Sequence, residues 1–198
     1  PVKPIVNHEK QKYYSLNQVA TIPLIYGTQP NLGQYFQPDG AFPNPSELLP
    51  AGHIKEAQEA QEAAAEQLRN DLVFIARNLY QVGCDGFNFD TAASAGDADF
   101  FAALQAIREL KEIAPNMAIE LGMSSEFVLG LHGEITFDGV RLAGMYPHAQ
   151  VKMAEAVGAD IFGPAVNVKT TMSTPWNLAR AVTFVKETVK VANIPVHP

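Results

Sequence analysis

With 198 residues, 47% of them apolar and 18% charged, the chain has the composition of one folded domain with a substantial core. A formal charge of -7 argues against nucleic acid or an anionic membrane surface as a partner. The lone Cys84 excludes an internal disulfide and a cysteine-based zinc cage; no apolar run nears the ~18 residues of a membrane span and no signal-peptide pattern opens the chain, so the cytoplasm is the expected compartment.

The first 50 residues are rich in proline, and within them Ile22-Pro23-Leu24-Ile25-Tyr26-Gly27 reads as a strand with its proline near the start. A long loop with turn chemistry follows, carrying Tyr35, Phe36 and Phe42 either as pocket lining or as packing against the rest of the domain. Ile54, Ala57, Ala60, Ala64, Leu68, Leu72, Ile75 and Leu79 recur at helical steps and predict a helix over 54–82, ended by Gly83. Strand 85–90 comes next, and Cys84 before it reads as a small buried apolar residue.

A second helix is predicted over 97–114, with Asp97 as N-cap and a core stripe from Phe100 to Ile113. Strand 117–122 then leads to a short helix over 124–131 and a loop or hairpin over 133–139. Pro147 fits the first position of a helix ending at Gly158, followed by strand 160–166. The last helix opens at Thr174-Pro175, turns Leu178, Val182, Val185 and Val189 inward, and ends near Asn193, before a strand over 194–197.

One phrase occurs twice: Val82-Gly83-Cys84-Asp85 and Val157-Gly158-Ala159-Asp160, each running into an apolar strand. That repeated helix-turn-strand unit, with strands about every 35 residues, predicts a parallel α/β fold. Five strands fit most of a (β/α)8 TIM barrel, about five of its eight; a flavodoxin-like doubly wound sheet is the runner-up, without a glycine-rich nucleotide loop after the first strand. The expectation is therefore a single incomplete barrel over 1–198, a segment of a longer protein, poorly stable and inactive alone because the sheet edge is left open.

Barrel chemistry gathers at strand tips, which here offer Tyr26, Asn88, Asp90, Thr91, Glu120, Asn167 and His197. Asp90 and Glu120 sit on consecutive strands, so their carboxylates face one cavity and suit a cationic substrate or general acid-base work. The structural alternative is that Asp90 caps the following loop and Glu120 pairs with a basic residue. The aspartates between Asp90 and Asp99 lack calcium-loop spacing, His132, Glu134 and Asp138 lack zinc spacing, and Ser124 lacks the nucleophile-elbow context and reads as a cap. No metal site is expected. Lys169, past Asn167, is a Schiff-base candidate and keeps an aldolase in view.

Six ordered runs carry a resemblance. Ile22-Pro23-Leu24-Ile25-Tyr26-Gly27 with Gln29-Pro30-Asn31, Gly86-Phe87-Asn88-Phe89-Asp90-Thr91 with Ala95-Gly96-Asp97, and Ile119-Glu120-Leu121-Gly122-Met123 resemble dimethylamine-corrinoid protein methyltransferases, as do Phe137-Asp138-Gly139-Val140-Arg141-Leu142-Ala143-Gly144, Ile161-Phe162-Gly163-Pro164 and Trp176-Asn177-Leu178-Ala179-Arg180-Ala181-Val182-Thr183-Phe184. The resemblance implies a TIM barrel of methanogenesis and methylamine utilisation that moves one methyl of dimethylamine to the Co(I) corrinoid of a separate partner protein, leaving monomethylamine. It implies no cofactor bound directly, the corrinoid being carried by that partner, and a pyrrolysine, which these residues do not contain and which is expected downstream of Pro198. Asp90 and Glu120 are the expected catalytic acids, and Tyr26, Asn88, Thr91 and Asn167 the expected substrate contacts. A homo-oligomer is expected. A paralogue that binds the corrinoid protein without transferring methyl is the remaining alternative.

Overall fold

The computed structural model describes residues 29–166 and 173–198. Three parallel strands form its centre: β1 (Gly86–Ala92), β2 (Ala118–Met123) and β5 (Ile161–Gly163), in the order β1-β2-β5. Beyond β5, Val196 bridges Phe162 in parallel, so the predicted last strand is present as a single rung. The predicted strand 22–27 lies outside the described residues. These strands make a mixed α/β architecture, and they do not close a barrel.

Helices α1 (Pro45–Leu48), α2 (Ile54–Gln81), α3 (Asp97–Ile113), α4 (Pro147–Val157) and α5 (Pro175–Val191) join them. Alternation along the strands assigns the faces. Phe87, Phe89, Ile119, Leu121 and Phe162 are buried with Leu68, Leu72, Phe100, Leu104 and Ile107 of the helices, while Asn88, Asp90 and Ala118 are exposed on the other face. A parallel sheet is ordinarily covered on both faces. Here one face is apolar and packed, and the other is polar and open among the described residues.

The repeated phrase builds the same structure twice. Gly83 and Gly158 adopt left-handed backbone at φ 92° and 89°, which only glycine takes without strain. The Gly83 N–H donates to the Tyr80 carbonyl and the Cys84 N–H to Leu79, and Gly158 and Ala159 repeat this with Glu155 and Ala154, all near 3.0 Å. Both helices thus end in a Schellman motif, with its five- and three-residue closures satisfying carbonyls that would otherwise be orphaned. Cys84 is half-buried, its thiol donating to the Gly86 carbonyl at 3.1 Å.

Several local expectations are corrected. Residues 124–131 are bends and irregular chain rather than a helix, because Ser124 is drawn to the end of β1: its N–H and hydroxyl both donate to the Ala92 carbonyl, at 3.0 and 3.2 Å. Ser124 caps no helix. The 133–139 segment, expected as a loop or hairpin, does lead into a hairpin, β3 (Thr136–Phe137) with β4 (Val140–Arg141), turned by Asp138 and Gly139, both at positive φ. Ile54, read as the first core residue of α2, is exposed. On α5 the buried residues are Ala181 and Thr188, while Leu178, Val182 and Val189 are exposed. Periodicity shows which residues share a stripe, not which stripe another element covers.

Candidate functional site

The register of the sheet builds the site. Asn88 on β1 and Glu120 on β2 are direct cross-strand partners, and Asp90 follows two residues further along the same face. All three therefore stand on the open face toward the C-terminal ends of parallel strands. Between and beyond them lie Gly122 and Gly163, themselves register partners on β2 and β5. A Cβ on Gly122 would stand 3.3 Å from Asn88 Oδ1 and 3.4 Å from Asp90 Oδ1. One on Gly163 would meet the His197 carbonyl at 3.2 Å, the Gly122 Cα at 3.3 Å and Glu120 Oε1 at 3.4 Å. The two glycines form a floor without side chains, and the polar groups lean over it.

Glu120 is only partly exposed, and its Oε1 lies 2.9 Å from Nδ1 of His197. This is the basic partner that the structural reading of Glu120 anticipates, and the strand tip brings it in. Asp90 also fulfils its structural reading: its Oδ1 accepts from the Thr91 N–H at 2.8 Å. Here the β1–β2 ladder is irregular between Phe89 and Ala92, and Thr91 and Ala93 have φ of 57° and 63°. A β-branched residue in the left-handed region is a strained outlier, and strain and bulges gather where a strand end is re-aimed for function. The side-chain amide of Gln29 closes on the backbone of Asp90 at this point.

The other polar residues named from sequence have different places. Tyr26, Asn167 and Lys169 lie outside the described residues. Asp97 is the first residue of α3 rather than its N-cap, and its buried carboxylate accepts from the N–H groups of His132 (3.0 Å) and Gly133 (2.6 Å). Asp99, also buried, accepts from the Ser94 hydroxyl at 3.0 Å and the Ala95 N–H at 3.1 Å. Burial pushes its carboxyl above the ordinary range, against the lowering effect of those bonds. Both aspartates fasten loops.

His132 has its side chain almost fully buried, with Nε2 2.7 Å from Glu62 Oε1, so it is no solvated loop residue. Asp138 forks onto Arg108, whose guanidinium lies 4.3 Å from the Phe137 ring centroid. Among the described residues, no group of three or more His, Cys, Asp or Glu side chains is arranged to hold a metal ion. In the first loop, Tyr35, Phe36 and Phe42 pack against the core, and the Tyr35 hydroxyl donates to Asp71 at 2.7 Å. Burial, then the hydrogen bond and the charge of Asp71, push the Tyr35 phenol above its usual value.

Asn88, Asp90, Thr91, Glu120 and His197 are legible in the sequence as strand-end residues, whereas Gln29, Gly122 and Gly163 appear there only within the runs of the resemblance and with no site role. A glycine inside a strand is the available sign, since it often marks the close approach of another group.

The fold and site define an α/β protein whose open sheet face carries two carboxylates, an amide and an imidazole over a glycine floor. The model of the dimethylamine methyltransferase family matches residues 1–198, and the chain belongs to that family. It is thereby a methyltransferase of methylamine metabolism, with dimethylamine as the substrate the family is named for. No solved structure matches the chain. No helix among the described residues is long and apolar enough to cross a membrane.

Proposed function

We propose that this chain forms the amine-binding wall of a TIM-barrel enzyme that transfers one methyl group from dimethylamine to the Co(I) corrinoid of a separate protein, releasing monomethylamine. The observation that supports it is the polar face of the parallel sheet, with Asp90 and Glu120 on neighbouring strands above Gly122 and Gly163. In a parallel sheet such a face needs a reason, and a barrel lumen with a small cationic substrate supplies one.

Dimethylamine is a cation at neutral pH, and two carboxylates facing a closed barrel lumen would attract it more strongly than they would in open water. In the transfer, the C–N bond breaks, its electron pair stays on nitrogen, and the methyl carbon bonds to cobalt. Nitrogen leaves as a neutral amine only if it still holds its protons. Asp90 and Glu120 accept the N–H groups, keep the proton at nitrogen until the bond breaks, and aim the methyl group outward. Asn88 adds a neutral amide beside them. Holding the amine in line with its acceptor is the larger part of the catalysis. The corrinoid protein is the second substrate and brings the nucleophile. Pyrrolysine, which the family resemblance implies, is not among the 198 residues, and no step here runs through it.

The test is Glu120→Gln and Asp90→Asn in the full-length enzyme with its corrinoid protein. Each is expected to lower the rate of corrinoid methylation by about 100-fold or more. Near-normal rates in both would sink the assignment.

A further inference from the structure

We infer that His197 is the positioning residue of Glu120, acting through a path across β5 that Gly163 keeps clear. This rests on the reading of Glu120 as an amine-binding carboxylate and extends it to two residues of neighbouring strands.

Glu120 belongs to β2, and His197 lies beyond β5 on the far side. The chain at 195–197 is tied to β5 on both sides of one residue: the Phe162 N–H donates to the Pro195 carbonyl at 3.0 Å, and the His197 N–H donates to the Phe162 carbonyl at 2.9 Å. Two strand spacings separate β2 from that segment, about 10 Å. A glutamate and a histidine bridge such a distance only by lying flat across the strand between them. Ile161 and Gly163 are the β5 residues on that face, being register partners of Glu120 and Gly122. At Gly163 the surface is bare, and Glu120 Oε1 lies 3.4 Å from the point where a Cβ would stand. From there it reaches His197 Nδ1 at 2.9 Å.

The chemistry follows from the pairing. A glutamate side chain has three rotatable torsions, and ordering it costs rotamer freedom. A substrate that had to order it would bind less tightly by that cost. The His197 N–H, bonded to the Phe162 carbonyl, holds the backbone that carries the imidazole beside Glu120, and the imidazole orders the carboxylate in advance. With Oε1 engaged by Nδ1–H, Oε2 is left for the amine. Side chains that do chemistry are commonly held in place by a supporting hydrogen bond from a neighbouring group. The His197 side chain is 73% exposed, so its replacement leaves the core untouched.

The experiment is a double-mutant cycle in the full-length enzyme, read as the steady-state rate of corrinoid methylation by dimethylamine. His197→Ala is expected to lower kcat/KM by about 10–100-fold, as loss of an orienting partner does. His197→Asn, whose amide N–H takes the place of Nδ1–H, is expected to recover activity to within about 3-fold of the parent. Because His197 acts through Glu120, His197→Ala added to Glu120→Gln is expected to cost almost nothing more. Gly163→Ala, which crowds the crossing, is expected to mimic His197→Ala and to gain little from being combined with it.

If His197→Ala is near normal, or the Asn variant is no better than the Ala, the inference is overturned. So it is if the His197→Ala loss adds in full to that of Glu120→Gln. If Glu120→Gln is itself near normal, it is the underlying reading of the carboxylate that fails, and the two failures are told apart by that single mutant.

Discussion

Gln29 does for Asp90 what a neighbouring strand would do. Its Nε2 donates to the Asp90 carbonyl at 2.7 Å, and its Oε1 accepts from the Asp90 N–H at 3.0 Å, across 61 residues of sequence. The pair fixes the backbone from which the Asp90 carboxylate projects, next to the strained Thr91. Gln29→Ala is expected to cost about 1 kcal/mol of stability, the net worth of hydrogen bonds whose partners water can reach. The loss in activity is expected to be larger, about 10-fold, because a misplaced carboxylate is felt in the transition state. Gln29→Glu keeps the acceptor but sets a carboxylate against the Asp90 carbonyl, so it is expected not to rescue. Urea titration and initial rates on the same preparations check both parts; equal activity in all three proteins would refute the link.

Gly122 sets how close the amine can come. Gly122→Ala brings a methyl group within 3.3 Å of Asn88 Oδ1, which must yield by a few tenths of an ångström, and into van der Waals contact with Asp90 Oδ1 at 3.4 Å. The expected stability cost is about 1 kcal/mol, that of modest overpacking. The KM for dimethylamine is expected to rise about 10-fold, and Gly122→Val should do worse on both counts. Steady-state kinetics against denaturant midpoints separate the effects. An unchanged KM in Gly122→Ala would mean that the amine does not sit over this floor.

Asp160 ties three segments together. Its Oδ2 accepts from the Ile119 N–H at 2.7 Å and from Lys111 Nζ at 2.6 Å, while Nζ also donates to the Met117 carbonyl at 2.9 Å. The Lys111 side chain reaches them over Gly158, 3.2 Å from where a Cβ would be. Asp160→Ala removes a charge-assisted acceptor from β2 and frees the lysine, and it is expected to cost about 2 kcal/mol. Asp85, in the same place of the other repeat, contributes its backbone carbonyl, which accepts from the Ala118 N–H at 2.9 Å. Asp85→Ala is therefore expected to cost well under 1 kcal/mol. Urea denaturation of the two variants side by side reads the difference; equal losses would show that the copies are equivalent.

Two carboxylates are expected to give opposite pH slopes. Asp99 has its folded pKa raised by burial, so its contribution to stability is present below the unfolded pKa and is lost as pH rises through the folded one. Asp99→Asn is then expected to gain on the parent as pH rises from about 3 to about 7. For Glu155, desolvation acts to raise the pKa, but the Asn193 N–H, Lys152 and the Asn193 amide outweigh it and the net shift is downward. That contribution is present above the unfolded pKa and is lost as pH falls through the folded one. Glu155→Gln should thus lose most against the parent near neutrality and least in acid. Unfolding free energies across the range check both, and parallel slopes for the two variants would contradict the assignments.

How much of this was legible beforehand depended on whether the cause was local. Asn88 and Glu120 on strands, and Asp90 at a strand end, followed from alternation and from the turns on either side. His197 meeting Glu120 did not, since nothing in a sequence states that a bare residue at 163 lets a side chain of residue 120 cross to residue 197. Ser124 reads as a cap in the sequence, since serine before an apolar run commonly is one. The unpaired Ala92 carbonyl at the end of β1, from a distant part of the chain, claimed it instead.

The sequence by itself determined the punctuation. Gly83 and Gly158 end helices because φ near 90° is a property of glycine alone, and Asp138-Gly139 turns a hairpin for the same local reason. Tertiary structure decided what each residue faces. It made Asp160 a hub and left Asp85 with a backbone role, and it buried Ala181 and Thr188 of α5 while Leu178 and Val182 stayed outside. Local conformation is set by each residue's own sterics. Burial and pairing are set by whichever distant segment arrives alongside, and only the assembled fold contains that information.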